Sequence, residues 1–171
     1  MGGTTLTPLG ALARGVAAGA VGTLAMDVWL YGRYRRGGGT QRFGAWERSS
    51  GLTGWEDAPA PAQIGRRLVE GLLLRELAPR RAALTNNLTH WGYGMLGSAQ
   101  YGLAAGSLRS RHALYGLPFG AALWAAGYVI LPLAKLYEPI WRYDRRTLTE
   151  DLAAHLVYGL ATAAAFERLS P

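Results

Sequence analysis

From Ala82 to Leu108 the chain runs 27 residues without an Asp, Glu, Lys or Arg. After Arg109 and Arg111 it is again free of formal charge from His112 to Ala134. Each run is long enough to cross a hydrocarbon core of about 30 Å at about 1.5 Å per residue, and the short basic turn makes the two a hairpin. A third apolar stretch, Leu9 to Tyr31, is interrupted by Arg14 near its start and Asp27 near its end. The fourth, Leu148 to Phe166, is uncharged only from Leu152, and it opens with Glu150 and Asp151, acids that suit the positive end of a helix. Thr147 with Glu150 reads as a capping box there. The pattern predicts an all-α, integral membrane four-helix bundle, a single membrane domain with spans at about 9–31, 84–107, 113–134 and 148–167. A cleaved signal peptide is the alternative for the first span. Its basic residues, Arg33, Arg35 and Arg36, follow the apolar run, whereas a signal peptide carries them in front.

Between the first two spans, "GGG" at 37–39 breaks the chain and "WEDAPAPAQIGRRLVEGLLLRELAP" reads as one bounded helix at about 59–78. Asp57 is its expected cap, Pro59 suits its first turn, and Pro79 ends it. Ile64, Leu68, Val69, Leu72 and Leu73 share one broad face, while Leu74 and Leu77 spoil the polar one. The expectation is an interfacial helix on the inner leaflet, with Arg66, Arg67, Arg75, Arg80 and Arg81 at lipid phosphates. A helix folded under the bundle is the competing reading.

Charge gives the orientation. The 17 Arg and one Lys outnumber 11 acids, for a net charge of +7. The Arg33–Arg81 connection holds ten of the basic residues and Lys135–Arg146 four, leaving Arg14, Arg109, Arg111 and Arg168 for the opposite side. Both long connections are therefore expected in the cytoplasm and both termini outside, in a bacterial inner membrane. Trp29, Tyr31, Tyr34, Tyr137, Trp141 and Tyr143 mark the inner interface. The same distribution argues against nucleic acid as the partner of the basic charge. Membrane lipids are the expected partners, with a homo-oligomer or membrane-complex subunit left open. No cysteine is present, so disulfides and thiolate metal sites are excluded.

The candidate chemistry lies in a stripe written twice. "NNLTHWGYG" (Asn86 to Gly94) and "DLAAHLVYG" (Asp151 to Gly159) align without a gap, matching Asn86 with Asp151, His90 with His155 and Tyr93 with Tyr158. The 4-3 spacing puts each set on one helical face, expected to point inward because lipid cannot satisfy it. "GVAAGA" from Gly15 and "GLPFGA" from Gly116 match more weakly, and together the pairs admit two repeated helical hairpins. Asp27 lies at a similar depth, so Asp27, Asn86, His90, Tyr93, Asp151, His155 and Tyr158 form the candidate polar interior, with His90 and His155 expected to approach each other.

That interior can serve as hydrogen-bonding glue between helices, or as a proton- or cation-responsive site, since histidine titrates near neutrality. A haem held by the two histidines, or a His/Asp metal centre, is a further alternative; no resident cofactor is assigned. No glycine-rich nucleotide loop, HExxH or GxSxG is present, and no nucleophile, base and electrophile can be assembled, so no catalytic residue is named and a non-enzymatic protein is expected. His112 reads as an exposed turn residue. "AAGAVGTLAMDVW", "WEDAPAPAQIGRR", "LTNNLTHWGYG" and "DLAAHLVYG" resemble segments of uncharacterised bacterial four-helix inner-membrane proteins, broadly the YagU-like class, over most of the chain. The resemblance implies an inner-membrane location and carries no mechanism or catalytic residues.

Overall fold

The computed structural model describes residues 6–108 and 112–170. The turn residues Arg109 and Arg111 lie outside them. Among the described residues the protein is all-α, 77% helical, with six α-helices and no strands.

Helix α1 (Pro8–Arg36) starts where Thr7 Oγ1 accepts the Gly10 N–H at 3.1 Å. Its last residue, Arg36, is five past the expected end at Tyr31, and the capping Gly37 N–H bonds to Arg33 O at 2.9 Å. The chain then folds back on itself. A short helix, α2 (Phe43–Glu47), packs Phe43 and Trp46 against Tyr31 at ring-centroid distances of 5.2 and 5.5 Å. The Tyr34 hydroxyl accepts the N–H groups of Thr40 and Gln41, which ties the loop to the end of α1.

Helix α3 (Ala60–Leu73) is shorter than the expected 59–78 helix. Leu74 adopts a left-handed conformation, φ 51°. Beyond it, Glu70 accepts the Leu77 N–H at 2.8 Å and Trp55 donates to Leu77 O at 3.1 Å, so the Leu77 backbone is bonded outside a helix. The cap is Pro59 without a side-chain bond; Asp57 does not cap. One face of the helix is held by the bundle. It packs on α4 (Ala82–Gly106), with Gly65 so close to Thr85 and Thr89 that a Cβ would overlap them. Leu68, Leu72 and Leu73, on its apolar face, remain 58–80% exposed.

Helix α5 (Gly116–Leu133) follows a single 3₁₀ turn at Ala113–Tyr115, in which the exposed His112 accepts the Leu114 N–H. Helix α6 (Arg145–Leu169) begins three residues before the expected start. Asp144 outcompetes Thr147 as its cap, taking the Thr147 N–H at 2.9 Å and its hydroxyl at 2.8 Å.

In space the order is α3, α4, α1, α6, α5, with α1 central. The contacts are made through small residues. A Cβ on Gly15 would overlap Ser98 O, and one on Gly116 would overlap Gly159 O. The largest fully buried side chains are Phe166, Thr23, Thr162 and Ser98, whereas Leu9, Leu88, Leu96 and Leu133 are 67–80% exposed. Two helical stretches, Pro8–Arg36 and Ala113–Leu133, are long and apolar enough to cross a membrane. Helices α4 and α6 have 25 residues each, about 37 Å at 1.5 Å per residue, but their polar stripes dilute their hydropathy.

Candidate functional site

Asp27 is 5% exposed on α1, and its Oδ1 lies 2.8 Å from His90 Nε2 on α4. A buried carboxylate needs such a donor, and it fixes the imidazole with Nε2–H toward the acid. The second carboxylate oxygen, Oδ2, is buried without a hydrogen bond among the described residues.

His155 is held differently. Its Nδ1 lies 2.9 Å from Asp151 O and 3.5 Å from Asp151 Oδ1, within its own helix. Donation from Nδ1 leaves Nε2 as the acceptor in the neutral ring. The two histidines do not bond to each other, but both line one cavity of about 400 Å³. Its floor is α1, at Thr23, Met26 and Leu30, and its sides come from α3, α4, α5 and α6. Leu123, Ile130 and Leu131 make the far wall apolar.

The duplicated stripe is only partly a shared site. Tyr158 is buried and donates to Gly94 O at 2.5 Å, so Ser98, 2.6 Å away, must donate to it. Tyr93, its sequence counterpart, lines the cavity while 54% exposed, which corrects the expectation that both copies point fully inward. Asn86 leaves the group altogether and donates to Ser49 Oγ in the loop at 2.9 Å. Asp151 lines the cavity and also a second one beside it.

Sequence reasoning missed Glu47. It comes from α2 and accepts the Trp91 indole N–H at 2.9 Å. Burial raises its carboxyl above the ordinary value, and the nearby Asp27 charge raises it further, against the Trp91 hydrogen bond and the pull of His90. The available signal was its place as the one acid between Asp27 and Glu56, inside the aromatic run "FGAWE".

The arginines assigned to lipid divide. Arg66 is committed to the protein, 3.0 Å from Glu70 and with its guanidinium 5.0 Å from the Trp55 ring centroid. Arg67 donates to Ala134 O, joining α3 to the end of α5. Arg75, Arg80 and Arg81 are exposed.

No family model, curated protein or solved structure matches this chain. The site must be read from its own chemistry. Three polar links close a triangle of helices: Asp27–His90 joins α1 to α4, Tyr158 joins α6 to α4, and Arg33–Glu150 joins α1 to α6. Among the described residues no three His, Asp or Glu side chains converge to hold a metal ion.

Proposed function

We propose that this is a non-enzymatic, four-span protein of a bacterial inner membrane whose polar interior holds the bundle together. The closed triangle of interhelical bonds carries this reading, because each link joins a different pair among α1, α4 and α6. Embedding in lipid is supported by the inverted side-chain distribution. Small and hydroxylated residues lie inside and large aliphatic ones outside, as membrane helices favour. In this reading α4 and α6 span as well, with their polar stripes turned to the bundle. Kinship with the YagU-like proteins, the cytoplasmic loops, the outer termini, and lipid phosphates at Arg75, Arg80 and Arg81 belong to the same proposal.

The chain has no cysteine, so Gly38→Cys offers a clean topological label. Labelling from the cytoplasmic side only, in membranes that need detergent for extraction, is the expected result. Recovery without detergent would end the membrane reading, and labelling from outside intact cells would reverse the orientation. For the packing role, Tyr158→Phe should lower thermal stability by about 1–2 kcal/mol, since Ser98 and Gly94 O lose a buried partner.

A second reading, a proton- or cation-responsive carrier, draws on the unpartnered Asp27 Oδ2 beside His90. Proton flux into proteoliposomes, abolished by a folded His90→Gln variant, would favour it. Haem is favoured less, because Asp27 occupies His90 Nε2 and ligation would have to use Nδ1.

A further inference from the structure

Beyond the packing role, we infer that the cavity is a binding site for a lipophilic organic cation, with its charge at Asp151 and its apolar body between α4 and α5. Two observations meet at this carboxylate. The first concerns the cavity itself. At about 400 Å³ it falls in the range that houses small ligands, and none of its lining residues is Lys or Arg. Its basic side chains are His90, whose Nε2 is taken by Asp27, and His155, whose Nδ1 is taken by Asp151 O, so an anionic headgroup finds no free Lys or Arg there. A cation finds Asp151, which forms no ion pair with an Arg or Lys among the described residues; the nearby Arg33 is engaged by Glu150.

The second observation is aromatic. A separate polar cavity of about 360 Å³ adjoins the first and shares Tyr128, Tyr137 and Asp151 with it. Tyr128, Tyr137 and Tyr143 cluster there with ring centroids 5.4–6.1 Å apart, and Trp124 lies tilted beside Tyr128 at 5.2 Å. Ring faces attract a desolvated ammonium or phosphonium, most of all beside a carboxylate. Burial, and then the Asp151 charge, hold the Tyr137 phenol above its ordinary value, in keeping with the two lining both cavities together. Asp151 therefore stands where an apolar chamber meets a polar one, as an amphiphilic cation requires.

Access has a structural basis. The backbones of α4 and α5 do not pack closely, and they meet through side chains such as Tyr101 and Phe119, 4.9 Å between centroids. Tyr93 and Ile130, 54% and 57% exposed, flank the seam and also line the cavity. A membrane-dissolved amine or quaternary ammonium can enter sideways between them.

The test uses the full chain in nanodiscs, equilibrium dialysis and two probes of matched shape, tetraphenylphosphonium and tetraphenylborate, with empty nanodiscs subtracted. Saturable binding of the phosphonium at one per chain, without saturable borate binding, is expected. Asp151→Asn should weaken it at least about tenfold, and Tyr137→Leu several-fold. Gly127 lines the cavity with open space before it, so Gly127→Phe should fill the chamber and abolish binding while the fold survives. Absence of saturable phosphonium binding to the folded parent overturns the inference. So does equal borate binding, or full phosphonium affinity in a folded Asp151→Asn protein. If Asp151→Asn does not fold, unchanged affinity in both Tyr137→Leu and Gly127→Phe overturns it equally.

Discussion

Glu47 reaches the Asp27–His90 pair from a five-residue helix and rests on the Trp91 indole. Its raised carboxyl means that the fold binds this proton more tightly than the open chain does. Stability from Glu47 is therefore fullest below its ordinary value of 4.5 and is lost as pH climbs through the raised one. Glu47→Gln keeps an acceptor for Trp91 and has no charge to oppose Asp27. Its melting temperature should equal or exceed the parent's near neutral pH, with the difference shrinking toward pH 4.5. A difference that grows on acidification would remove Glu47 from the group. Asp27 and His90 were legible as polar residues in apolar runs, because burying either demands a partner. Their pairing with each other was not, since the face on which α1 meets α4 is set by Gly15 and Gly19 against Ser98.

Helix contacts here depend on missing side chains, which allows a sharp comparison within one substitution type. In Gly159→Ala the new methyl would meet the Gly116 carbonyl, a backbone atom that cannot swing away. The α5–α6 contact should loosen, at a cost of about 1–3 kcal/mol from overpacking. Gly92→Ala on α4 has open space around it and should be neutral or stabilise by up to about 1 kcal/mol, the helix-propensity gain. Thermal melts of both in one detergent decide the point, and equal behaviour would refute glycine-mediated packing. At this scale all four long helices were legible from charge-free runs and acids at a helix start. Their ends were less so, because long-range bonds reset them. The Glu70 and Trp55 bonds to Leu77 draw the backbone away from the helical pattern read up to Pro79. Arg66 and Arg67 were read as lipid contacts because exposed-looking guanidinium groups on a helix say nothing of a carboxylate four residues on being used, or of a carbonyl 67 positions away.

Across the whole molecule, the proposed hairpin repeat pairs α1 with α5 and α4 with α6. Symmetry would then match the α1–α6 contact with one between α4 and α5, yet only the former is closely packed. The cavity lies between these helices, and α3 lines one side of it, packed on α4 through Gly65 and tied to α5 through Arg67 and Ala134 O. No periodicity could announce that bridge, because it depends on where the end of α5 falls against the middle of α3. If the Arg67 bond sets the gap, its loss should free one side of α3 while Gly65 keeps the other seated. Spin labels at Leu68→Cys and Leu133→Cys, positions 58% and 80% exposed, report this without entering the core. The parent should give one narrow distance distribution. Adding Arg67→Gln should broaden it toward longer distances with little change in melting, since an exposed bond of this kind contributes about 1 kcal/mol. An unaltered distribution would mean that α4 alone positions α3, and that side of the cavity would then be fixed rather than strapped.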